Sequence, residues 1–162
     1  MINFYEPRLN LQFVSRETVL DALRQKQVTD GTYVISINDT FADSIEVTKN
    51  VLAYAPSIKL KTFVFPDEEI GIADDVAKDI INIANRASAA AAPILVHCLM
   101  GVSRSGAVAK FLNEYLDIGN WFLESYHNHN KSIYNSLAAA AGTSLAAMYE
   151  ELERGERIDP EN

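Results

Sequence analysis

Apolar residues along this chain follow two alternating patterns: short, β-branched runs, and longer stretches that are apolar on one side only. Ile2 to Tyr5 and Leu11 to Val14 are short apolar runs, and Ser15 then opens a stretch with Val19, Leu20 and Leu23 on one helical face. Asp30-Gly31 makes a turn. Tyr33-Val34-Ile35-Ser36-Ile37 is β-branched and almost continuously apolar, which predicts a buried strand. Lys59 to Phe65 predicts another, which Pro66 ends. The stretch between them, Asn38 to Ser57, fits neither period and stays ambiguous. From Ile72 the apolar positions 72, 76, 80, 83, 84 and 87 line one side of a helix. Its other side carries Asp74, Asp75, Lys78, Asp79 and Asn82, and it ends in an alanine run before Pro93.

Pro93 introduces Ile94-Leu95-Val96-His97, the pattern of a central strand, and Val108, Phe111, Leu112, Tyr115 and Leu116 mark the helix that follows Arg104. Cys98 to Ser103 is then a strand-to-helix loop. The last third reads as helical: Trp121 to Tyr126, Lys131 to Ala141 with Gly142 as the stop, and Leu145 to Arg154. Trp121, Phe122, Tyr126 and Tyr134 sit at spacings that suit core positions. Strands alternating with helices predict an α/β single-domain sandwich with a central, mostly parallel sheet flanked by helices. Ligands on such sheets bind beyond the carboxyl ends of the strands, where Cys98 falls. With no linker and no internal repeat, residues 1–155 read as one domain and 156–162 as a frayed tail.

Composition narrows the classes. The chain has 162 residues and a net charge of −8, from 22 acidic against 14 basic residues, so it repels polyanions at long range. Nucleic acid and anionic membranes are therefore poor partners. The longest apolar run, Ala89 to Val96, is too short to span a bilayer, and the acidic, polar-spaced amino terminus lacks a secretory pattern, so the expected compartment is the cytoplasm. A single cysteine excludes an internal disulfide and a thiolate-based metal site, which leaves packing or chemistry for Cys98.

Chemistry is favoured by what surrounds it. In His97-Cys98-Leu99-Met100-Gly101-Val102-Ser103-Arg104-Ser105-Gly106 a cysteine ends a strand and an arginine opens a helix six positions later. Such a loop can aim its backbone N–H groups inward while the helix N-terminus adds about half a positive charge, so the concavity suits an anion. Gly101 permits the tight backbone. The same dipoles and Arg104 favour the thiolate of Cys98, which makes it a nucleophile at neutral pH. Arg104 presents a planar fork to two phosphoryl oxygens. Ser105 can donate its hydroxyl to the sulfur when the cysteine must leave again as a thiolate.

Val96 to Gly106 resembles the signature of the protein tyrosine and dual-specificity phosphatase superfamily: His-Cys, five residues, then Arg-Ser or Arg-Thr. Gly-Val-Ser-Arg-Ser is in the register of the dual-specificity branch, and the order of elements is similar from Val14 to about Ala140. The resemblance implies a phosphate monoester hydrolase that needs neither metal nor cofactor and works on phosphoprotein through a phosphocysteine. In it, Leu99, Met100, Gly101, Val102, Ser103 and Arg104 form the phosphate-binding loop, and His97 supports the loop and lowers the thiol pKa. It also implies an aspartate on a movable loop upstream as general acid, the role that falls to Asp67, 31 positions before Cys98. Asp67 follows a strand and Pro66 and precedes Glu68, Glu69 and Gly71; Glu68 and Asp39 are its rivals.

His127 and His129 have a spacing that can suit a metal, but no third ligand cluster accompanies them, so they read as a polar loop. Asn130 reads as a helix cap. The five interior loop residues are uncharged, which favours a phosphoprotein over an inositol phosphate, a nucleotide or an RNA end, whose hydrolases tend to carry a cation there. Sulfur transfer and arsenate reduction are disfavoured by loop type and by the lone cysteine. A phosphate-binding pseudoenzyme is disfavoured because nucleophile, arginine and acid are all present.

Overall fold

A computed structural model describes residues 10–142. The expected run Ile2 to Tyr5, the expected helix Leu145 to Arg154 and the tail lie outside them. Among the described residues four strands form one sheet: β1 (Leu11–Ser15), β2 (Tyr33–Asn38), β3 (Lys59–Val64) and β4 (Ile94–Cys98). Their order is β1-β4-β2-β3 and every pairing is parallel. The helices between and after them are α1 (Arg16–Arg24), α2 (Phe41–Tyr54), α3 (Asp74–Ala89), α4 (Arg104–Tyr115) and α5 (Trp121–Ser125), and residues 131–142 form α6 as far as it is described.

Because side chains alternate along a strand, each face of the sheet collects its own core. On one face Val34 of β2 packs with Val19, Leu20 and Leu23 of α1 and with Val47 and Val51 of α2. On the other, Ile35 and Ile37, Ile94 and Val96 pack against Ala77, Ile80, Ile81 and Ala84 of α3 and against α4, α5 and α6. A fully buried Ile80 or Ile35 contributes about 1.5–3 kcal/mol relative to exposure, so this two-sided burial is what fixes the register of the central strands.

The ambiguous stretch after β2 resolves as α2. Thr40 caps it, its hydroxyl accepting from the Asp43 N–H at 3.1 Å. Val47 and Val51 face the core while Phe41, Ile45 and Leu52 are exposed, so no single apolar face marks the helix in the sequence. Ser15 caps α1 as expected, accepting from the Thr18 N–H. Two expectations are corrected. α6 includes residue 142, and Gly142 lacks the positive φ of a left-handed stop. Trp121 and Phe122 are exposed and not core; Phe122 stacks at the surface on Phe13, with ring centroids 6.4 Å apart.

Candidate active site

The carboxyl ends of the parallel strands bring four distant stretches together: 38–39 after β2, 65–68 after β3, 98–104 after β4, and 126–130 before α6. Cys98 closes β4 and is 2% exposed. Burial is the largest influence on its thiol and pushes its pKa up. The Ser105 hydroxyl, with Oγ 3.1 Å from Sγ, and the N–H groups of Ser105, Val102 and Gly101 more than reverse this, so the net shift is downward.

The loop holds this shape because its carbonyls are tied outward. The Cys98 carbonyl lies 3.3 Å from His97 Nδ1, and the Leu99 carbonyl accepts from the Arg16 N–H at 3.2 Å. The Val102 carbonyl accepts from the Tyr126 hydroxyl at 2.7 Å, and the Ser103 carbonyl from the N–H groups of Ala107 and Asn130 at 3.0 and 3.1 Å. With these carbonyls facing out, the intervening N–H groups face the sulfur. Gly101 makes the approach possible, since its φ is +71° and a Cβ there would lie 2.4 Å from the Ser15 nitrogen. Gly106 serves similarly, because a Cβ would lie 2.5 Å from the Tyr126 ring. Leu99, Met100 and Val102 are exposed, so what these positions offer a phosphate is main chain.

Arg104 opens α4 and is 5% exposed. Its Nη1 donates to Asp39 Oδ1 at 2.7 Å and to the Phe65 carbonyl at 3.0 Å. That contact gives Asp39, a rival for the acid role, a different place: its carboxylate is committed to the guanidinium. Asp67 stands across the loop, where Oδ1 accepts from the Ser103 hydroxyl at 2.8 Å and from Asn130 Nδ2 at 2.7 Å. Ser103 therefore ties loop to carboxylate instead of capping its own helix. Asn130 does two things at once: Oδ1 caps α6 by accepting from the Ile133 N–H at 2.9 Å, while Nδ2 also reaches the Glu68 carbonyl. Glu68 contributes that carbonyl, and its side chain is exposed.

His97 is fully buried, and burial lowers its pKa to about 4; its contact with the Cys98 carbonyl partly offsets this, and the charges of Arg16 and Arg104 add to it. The ring is thus neutral at pH 7 and supports the loop by hydrogen bonding, not by charge. Sequence reasoning missed Asp39 as the arginine's anchor, Tyr126 as a loop tether, and Ser36, Asn38 and Arg16 behind His97. Of these only the Asn38-Asp39 pair at a strand's carboxyl end carried a local signal. Among the described residues no group of three or more His, Cys, Asp or Glu could hold a metal, and no helix is long and apolar enough to cross a membrane.

No protein-family model matches the sequence. No curated protein matches it either. Solved structures do match in fold. Human DUSP28 superposes with a TM-score of 0.59 at 16% identity over 85% of this chain and 94% of that one. PTPMT1 gives 0.59 at 14% identity over 87% and 95%. The human tyrosine phosphatase-like serine/threonine/tyrosine-interacting protein gives 0.52 at 15% identity over 82% and 87%. The chain has the fold of the cysteine-dependent tyrosine and dual-specificity phosphatases.

Proposed function

We propose that this protein is a cysteine-dependent phosphate monoester hydrolase that acts on phosphoproteins, with tyrosine or dual specificity. The observation that supports it most is the convergence on Cys98 Sγ of three main-chain N–H groups and the Ser105 hydroxyl, with Arg104 opening the helix that follows. In the first step the thiolate forms an S–P bond as the ester P–O bond breaks, and protonated Asp67 gives its proton to the departing oxygen. With Oδ1 engaged by Ser103 and Asn130, Oδ2 is the oxygen we assign to that proton. The developing charge on the phosphoryl oxygens is met by the loop N–H groups and by Arg104 Nε and Nη2, since Nη1 is held by Asp39 and Phe65. In the second step the Asp67 carboxylate takes a proton from water, the water oxygen bonds to phosphorus, and the S–P pair returns to sulfur, stabilised by the Ser105 hydroxyl. Ser105→Ala is therefore expected to slow the second step more than the first, seen as a burst of product equal to the enzyme concentration.

Two features favour a phosphoprotein. The loop interior is uncharged, and Arg16, which flanks the loop, is neutralised by Glu46 and Asp43, so neither adds a cation for a second phosphate. PTPMT1 has been crystallised with PI(5)P, which makes a phosphoinositide the natural competitor. The test is a panel of phosphotyrosine and phosphothreonine peptides and PI(5)P. Faster turnover of the peptides is expected. Dominance of the lipid would overturn the protein substrate, and no turnover of any would overturn the enzyme. Residues 1–155 are assigned as the catalytic domain and the cytoplasm as its compartment, where reducing conditions keep a lone thiol usable.

A further inference from the structure

Buried polar groups that the reaction does not touch run in one direction from α1 to the phosphate loop. Arg16 Nη1 donates to Asn38 Oδ1 at 3.1 Å, which fixes the orientation of that amide. Asn38 Nδ2 accordingly faces the Ser36 and Phe63 carbonyls at 3.2 and 3.4 Å, and donates to Ser36 Oγ at 2.9 Å. The Cys98 carbonyl at His97 Nδ1 can only accept, so Nε2 of the neutral ring is the acceptor on the other side, and the Ser36 hydroxyl, itself accepting from Asn38, donates to it across 2.6 Å. An Nε2 that accepts leaves the ring proton on Nδ1, where it is donated to the Cys98 carbonyl at 3.3 Å. The sheet makes this alignment possible, since Ser36 and His97 are register partners on neighbouring strands. Ser36, Asn38 and His97 are all buried, so water does not compete for these bonds.

We propose that Arg16, Asn38 and Ser36 are positioning residues forming a one-way hydrogen-bond relay that sets the tautomer of His97 and, through it, the orientation of the first peptide of the phosphate loop. Arg16 holds the loop twice, through the relay to the Cys98 carbonyl and directly through its own N–H to the Leu99 carbonyl. Glu46 and Asp43 of α2 fix the far side of its guanidinium. The other charged or titratable groups bearing on this interior are Arg104 of α4, Cys98 itself and Tyr126. The relay affects turnover only if Cys98 is the nucleophile, as proposed above, but ring tautomer and thiol reactivity are measured without a substrate.

The ¹⁵N ring signals of His97 should show the Nδ1–H form in the wild-type protein. Asn38→Asp replaces the donor by an acceptor, so the Ser36 hydroxyl turns towards it, and His97 should switch to Nε2–H and lose its bond to the Cys98 carbonyl. Ser36→Ala breaks the relay without adding charge. In both variants the pH midpoint for alkylation of Cys98 by iodoacetamide should rise by about one unit. Turnover should fall on the order of tenfold with KM little changed. Arg16→Lys, which keeps a charged donor, should stay within about threefold of wild type, and Arg16→Met should resemble Ser36→Ala. An Nε2–H tautomer in the wild-type protein overturns the relay whatever the variants do. So does a wild-type alkylation midpoint in Asn38→Asp and Ser36→Ala proteins that retain a cooperative thermal transition. Absence of turnover in the wild type, with these tautomer and alkylation shifts intact, would remove the proposed enzyme and leave the relay standing.

Discussion

Cys98→Ser is expected to lower turnover by at least about 10⁴-fold while leaving inorganic phosphate and tungstate bound, because it removes the nucleophile and nothing else. The N–H groups of Gly101, Val102 and Ser105, the Ser105 hydroxyl and Arg104 all remain. Single-turnover assay with nitrophenyl phosphate and calorimetric titration with tungstate separate the two effects. In the mechanism proposed above the thiolate is the reactive form, and its pKa is lowered from 9.0, so activity should rise with pH along an acidic limb set by Cys98. Residual turnover near wild type in the serine variant would show that Cys98 is an ordinary buried thiol.

Asp67→Asn should reduce turnover of an alkyl or unactivated aryl phosphate by roughly 100-fold or more, the usual range for general acid catalysis. Nitrophenolate leaves with little help, so the loss on nitrophenyl phosphate should be clearly smaller. The amide can still accept from Ser103 and Asn130, so the loop geometry around Oδ1 should persist. Equal and small losses on both substrates would reject Asp67. Glu68→Gln, at an exposed side chain, should not show this difference, whereas Asp39→Asn should weaken phosphate binding through its hold on Arg104.

What the sequence disclosed follows from the range of each interaction. The strand-to-helix loop was legible because Cys98, Gly101 and Ser105 act on one another within one short stretch of chain, so their spacing is their geometry. Helix α3 was legible because its buried side is periodic. Helix α2 was not, because an exposed Phe41, Ile45 and Leu52 blur the period that Val47 and Val51 would give alone; the Thr40 to Asp43 cap was the one local sign of it. Asp39 was visible as a carboxylate but not as the partner of a residue 65 positions away, and Ser36 and His97 are separated by 61. Such pairs are set by strand order, and β4 inserting between β1 and β2 cannot be read from local pattern.

That same strand order has a consequence for how activity arises. Asp39 meets Arg104, Asp67 meets Ser103 and Asn130, and Ser36 meets His97 across separations of 65, 36, 63 and 61 residues. Each contact closes a long loop of chain whose entropy must be surrendered before the contact returns anything, and parallel strands cannot be paired by a local hairpin. β4, which carries Cys98, sits between β1 and β2, so those two early strands are joined through the sheet only when a strand from much later in the chain is inserted between them. A nascent or truncated chain that contains β1, α1, β2, α2 and β3 therefore has most of the residues of one core face but not the proposed phosphate loop, which arrives only with β4 and α4.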